Sequence, residues 1–80
     1  MAVYSVATKK SAREVLDRAL DYFGEGGLGL AVTAEDACCV TFEGGGGHVS
    51  VTASQGQGEA TARLETREWD YRVREFMRQI

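Results

Sequence analysis

A single histidine stands among carboxylates in this 80-residue chain. His48 and Glu43 flank a run of four glycines, and Glu65 lies on a later segment. If these segments pair as antiparallel strands, Glu43 and Glu65 fall on either side of His48 in one row. Two flanking carboxylates would favour and orient a charged imidazole ring. The same donor set suits divalent iron or zinc. Read more plainly, the row is a solvated cross-strand charge cluster near a loop, worth on the order of a few tenths of a kcal/mol. The plainer reading is preferred, because there is no second histidine and charges are common at loop ends. No catalytic residue, metal ligand or cofactor is assigned.

Two other features invite chemistry and are read without it. Cys38 and Cys39 are adjacent. On a strand their side chains point to opposite faces, so a mutual disulfide would be strained. Cys38 then joins the core and Cys39 the free face, too far from His48 to be activated as a nucleophile. Unpaired cysteines point to a reducing, cytoplasmic setting. Gly44–Gly47 has the composition of a phosphate cradle. A cradle, however, needs backbone N–H groups at a helix N-terminus, usually with a lysine. Here a strand follows, and the run reads as a mobile hairpin tip.

These residues need a frame to position them. Apolar residues alternate at Leu28, Leu30 and Val32, at Cys38, Val40 and Phe42, at Val49, Val51 and Ala53, and at Ala60, Ala62 and Leu64. A period of two implies strands with one buried and one free face. Loops at Gly44–Gly47 and Gln55–Gly58 set Phe42 opposite Val49 and Val51 opposite Ala62. The first hairpin keeps apolar with apolar only if its loop is odd in length or bulged. A three-residue loop, Ala34–Asp36, would set Val32 opposite Cys38. Ala2–Thr8 reads as a further strand whose buried side is undecided.

Two helices complete the order. Ser11 and Glu14 have the spacing of a capping box. Val15, Leu16, Ala19, Leu20 and Phe23 follow at helical spacing, and Gly24 suits a left-handed helix end. Thr66 reads as an N-cap for a second helix over Glu68–Ile80, with Trp69, Val73, Phe76, Met77 and Ile80 as its apolar stripe. The expectation is one α+β domain over residues 1–80, ordered β-α-β-β-β-β-α. It has a single antiparallel five-stranded sheet carrying both helices on one face.

That element order resembles the TATA-box-binding-protein-like fold and the stripped-down helix-grip (START and Bet v 1-like) core. The likeness covers the whole chain and involves no shared motif. The helix-grip resemblance implies an apolar-ligand cavity between the sheet and the closing helix, near Phe23, Phe42, Trp69, Val73 and Met77.

A net charge of −3 argues against nucleic acid, which is bound by neutralising phosphates. No apolar stretch approaches the roughly 20 residues needed to span a bilayer. The opening MAVYSVATKK places its charges after the apolar part, the reverse of a secretory signal. A chain of 80 residues also has a thin core. The free face carries small, weakly polar side chains, including Ala31, Thr33, Thr41, Ser50 and Thr52. Off the apolar stripe of the second helix, Tyr71 stands among Arg67, Arg74 and Arg78 as a candidate contact patch. The leading expectation is therefore a non-enzymatic binding or assembly domain that self-associates as a homodimer. The alternative is a carrier or sensor of a small apolar ligand.

Overall fold

Alternating apolar residues produce the expected sheet, and the two amphipathic segments close over it. The structure, a computed structural model, describes residues 1–80. Strand β1 (Ala2–Thr8), helix α1 (Ala12–Phe23), strands β2 (Ala31–Glu35), β3 (Cys39–Gly44), β4 (Gly47–Gln55) and β5 (Ala60–Arg67), and helix α2 (Asp70–Gln79) follow in chain order. The five strands form one antiparallel sheet ordered β1-β5-β4-β3-β2. The fold class and element order are those read from the sequence.

Helix α1 starts where the Ser11 side chain accepts the Glu14 N–H at 3.1 Å. The reciprocal half of the capping box is absent, because the Glu14 carboxylate pairs with Arg18 at 3.3 Å instead. The helix ends at Gly24, whose backbone is extended (φ −79°, ψ −159°) and not left-handed as expected. The left-handed residue of this connection is Gly29. Val15, Leu16, Ala19 and Phe23 are the buried stripe of the helix. Phe23 anchors the core, with ring centroids 5.5 Å from Phe42, 5.3 Å from Phe76 and 4.9 Å from Tyr22. Such tilted and edge-to-face pairs add to the burial of the rings themselves.

The sheet settles the undecided strand. Tyr4, Val6 and Thr8 face inward, while Val3, Ser5 and Ala7 are exposed. Two registers, those of β4–β5 and β2–β3, differ from expectation, while β3–β4 pairs Phe42 with Val49 and Val40 with Val51 as expected. In β4–β5 the partners are Val49↔Thr66, Val51↔Leu64 and Ala53↔Ala62, two residues beyond the expected pairing. A slip of two keeps every side chain on its face, so alternation cannot detect it. In β3–β4 the pairing runs on to Gly44↔Gly47, leaving a two-residue turn at Gly45-Gly46. Both turn residues have positive φ, 59° and 82°, the requirement of a type I′ hairpin.

The irregular first hairpin is present, with a bulge between Val32 and Ala34. Its register nevertheless differs: Val32 pairs with Phe42, not Cys38, and the loop is Asp36–Cys38. Val32 is 44% exposed although it pairs with the fully buried Phe42, whereas Leu30, just before the strand, is buried.

The second helix also starts later than expected. Thr66 is a fully buried strand residue, and its hydroxyl donates to the His48 carbonyl at 2.8 Å. It is not an N-cap. Trp69 occupies that position without a side-chain capping bond. Glu68, between β5 and α2, has a positive φ of 78°. Val73 and Phe76 are the buried residues of α2, and Trp69, Met77 and Ile80 pack at the margin of the core.

Candidate functional site

The face of the sheet away from the helices carries short side chains interspersed with Glu43, His48, Arg63, Glu65 and Arg67. Its rows follow from the registers. Val3, Glu65, Ser50 and Thr41 lie side by side, and so do Ser5, Arg63, Thr52 and Cys39. The row at the hairpin end holds Arg67, His48, Glu43 and Ala31. Few polar contacts tie this face together. The Thr41 and Ser50 hydroxyls lie 3.3 Å apart, and Thr33 donates to Glu43 at 3.3 Å.

The expected Glu43–His48–Glu65 row is half formed. Glu43 is opposite His48, but the two-residue slip puts Arg67 on its other flank and moves Glu65 beside Ser50. One carboxylate and one guanidinium therefore border the imidazole, and the two-carboxylate donor set is not assembled. His48, Glu43 and Arg67 line a shallow depression with Thr41 and three glycines of the hairpin. Trp69 braces that hairpin by donating its indole N–H to the Gly44 carbonyl at 2.9 Å. The glycine run expected to be mobile is thus held from one side. A side chain at Gly45 would meet the Trp69 ring at 2.7 Å.

The contact patch is split. Arg67, Tyr71 and Arg74 line a second shallow depression together with Met1, Ala2 and Asp70, and Arg78 lies outside it. Tyr71 is 62% exposed. Its hydroxyl donates to Glu75 at 3.4 Å, and the Arg72 guanidinium sits 5.7 Å from its ring centroid. Beside the depression, the Tyr4 hydroxyl donates to the Asp70 carboxylate at 2.9 Å. That bond, reinforced by desolvation and by the charge of Asp70, holds the phenol above its ordinary value, while Arg74 opposes the shift.

The five residues proposed to line a cavity pack into the interior. Phe23, Phe42 and Val73 are fully buried, and Trp69 and Met77 pack against them. The three surface depressions are lined by other residues.

Cys38 and Cys39 are joined by a disulfide, contrary to expectation. The strand alternation that argued against it does not apply, because Cys38 lies in the loop before β3 and is exposed. The inference of a reducing compartment from unpaired cysteines falls with it. No helix is long and apolar enough to cross a membrane.

No protein-family model matches the chain, and no curated protein is similar to it.

The two edges of the sheet differ in kind, and no single position in the sequence signals this. Strand β2 has five residues, is bulged, and ends at Glu35, with Asp36 directly after it. Those are the usual devices that blunt an edge. Strand β1 has seven residues, AVYSVAT, with no charge, proline or glycine. It pairs in unbroken register with β5 on one side and with nothing on the other.

Proposed function

We propose that this chain is a small non-enzymatic assembly domain that self-associates through the free edge of β1. The observation that carries this reading is the contrast between the blunted edge at β2 and the unprotected one at β1. An unpaired row of N–H and C=O groups on a long apolar strand is a template for another strand. Two β1 strands related by a two-fold axis at Ser5 pair all seven residues. Tyr4 then meets Val6 of the second copy on the core side, and Val3 meets its Ala7 on the open side. Aromatic and β-branched cross-strand pairs of this kind stabilise sheets. The result is one continuous ten-stranded sheet with a shared open face. Lys9 and Lys10 directly after the strand limit its length, as charges flanking apolar strands do.

A second copy also fits the thin core of so short a chain, because pairing removes further apolar surface from water. The small polar face is left clear for a further contact.

Ser5→Glu tests the reading. Ser5 is exposed and pairs with Arg63 within the monomer, so a carboxylate is accommodated there. At the two-fold axis it opposes its own copy. Sedimentation is expected to show a dimer for the wild type and a monomer of unchanged circular dichroism for the variant. A wild type that stays monomeric at high concentration overturns the proposal.

A further inference from the structure

The Cys38–Cys39 disulfide does nothing in the assembly just described, and it lies at the far side of the sheet from β1. Asp36 stands over it. The Asp36 carboxylate accepts the Cys38 N–H at 3.0 Å, and the same oxygen lies 3.2 Å from the Cys38 sulfur. The two sulfurs and a carboxylate oxygen fall within 4.8 Å of one another. The backbone under them is fixed at both ends. The Asp36 N–H donates to the Cys39 carbonyl at 2.9 Å, and the Ala53 N–H of β4 donates to the Cys38 carbonyl at 2.9 Å. Asp36 and Cys38 are exposed and Cys39 is half-buried, so the group is open to solvent.

We infer that, once reduced, Cys38, Cys39 and Asp36 form a binding site for a thiophilic divalent cation of the zinc class. A dithiol reductant opens the site. It transfers two electrons and two protons to the disulfide, giving two cysteine thiols, and leaves as its own cyclic disulfide. The cation then displaces both thiol protons and is held by two thiolates and the Asp36 carboxylate, with solvent completing the shell. Zinc takes this mixture of sulfur and oxygen donors.

With a cation present the two sulfurs and the Asp36 carboxylate become favourable ligands. In the oxidised protein both sulfurs are bonded to each other and neither is a thiolate, so the site exists only after reduction.

The experiment is zinc titration calorimetry on the whole chain, before and after reduction with a phosphine that leaves no competing thiol. Cadmium serves as a second probe through its thiolate charge-transfer absorption. One equivalent of zinc is expected on the reduced protein and none on the oxidised protein. Cys38→Ser and Cys39→Ser abolish the cadmium band. Asp36→Asn keeps both thiols and weakens zinc binding by roughly tenfold, as loss of a positioned group around a metal does. No uptake by the reduced protein, equal uptake by the oxidised protein, or an Asp36→Asn variant that binds as tightly as wild type overturns the assignment. So does a half-equivalent, which would place the cation between two chains. Binding by the Ser5→Glu variant is expected to match wild type, which separates this site from the assembly edge.

Discussion

The Tyr4 hydroxyl and the Asp70 carboxylate, 66 residues apart in sequence, are joined by a hydrogen bond of 2.9 Å. It ties the edge strand β1 to the first turn of α2. Asp70 is well placed for this, because an acidic group in the first turn also faces the positive end of the helix.

The bond makes stability depend on pH in a defined direction. The folded protein holds the Tyr4 proton more tightly than the unfolded chain, chiefly through Asp70. Its stabilising contribution is therefore complete below the ordinary phenol value of about 10. It is lost as pH rises through the raised value. Tyr4→Phe is expected to melt at a lower temperature than wild type at neutral pH. The gap between the two proteins is expected to narrow in melts above about pH 10. A gap that persists unchanged well above that pH contradicts the bond.

The hairpin glycines give a graded prediction. Gly46 has a positive φ of 82° and open space where a side chain would project, while Gly45 has both a positive φ of 59° and the Trp69 ring. Gly46→Ala carries only the backbone cost of about 1 kcal/mol. Gly45→Ala adds the displacement of Trp69 and the loss of its hydrogen bond, for a total of about 2 kcal/mol. Urea denaturation of the two variants checks the order.

Glu68 sits at φ 78°, a region that costs an ordinary residue about 1–2 kcal/mol. Glycine removes that cost but loses more freedom on folding. Glu68→Gly is expected to stabilise the protein by about 0.5 kcal/mol, the difference between those effects. Thermal unfolding measures it, and a lower melting temperature would contradict it.

Thr66 supplies a fourth measurement. Its buried hydroxyl donates to the His48 carbonyl, and valine is nearly the same shape. Thr66→Val is expected to cost about 1 kcal/mol, the net worth of one such bond. If Thr66 were a helix N-cap, the loss would appear as reduced helicity, and circular dichroism at constant helicity excludes that.

Much of this architecture is legible in the residues. The alternation at Val40 and Phe42, and at Val49, Val51 and Ala53, marks the buried face correctly. Ser11 marks the start of α1. The partner of each strand residue is harder to read. A shift of two residues in β4–β5 changes no burial, yet it replaces Glu65 with Arg67 beside His48. That single ambiguity decides whether the corner looks like a metal site. Thr66 misleads for a related reason, since threonine suits both strands and helix caps. The chain after it has no glycine to mark the left-handed residue. The adjacent cysteines mislead because the apolar alternation of β3 continues one residue beyond the strand, into the loop where Cys38 lies. The contrast between the two edges requires the strand order, which places the first strand beside the last.

That strand order has a kinetic consequence. Strands β2 to β5 are joined by short hairpins, whereas the partners in β1 and β5 are roughly fifty or more residues apart. Closing so long a loop costs about 2 kcal/mol more entropy than closing a hairpin. The meander and its hairpins therefore form before the first strand arrives, and until then β5 presents an open edge of its own. A first strand supplied by another chain fills that edge equally well. Slow refolding at high concentration is expected to trap exchanged dimers in which two chains trade their opening residues.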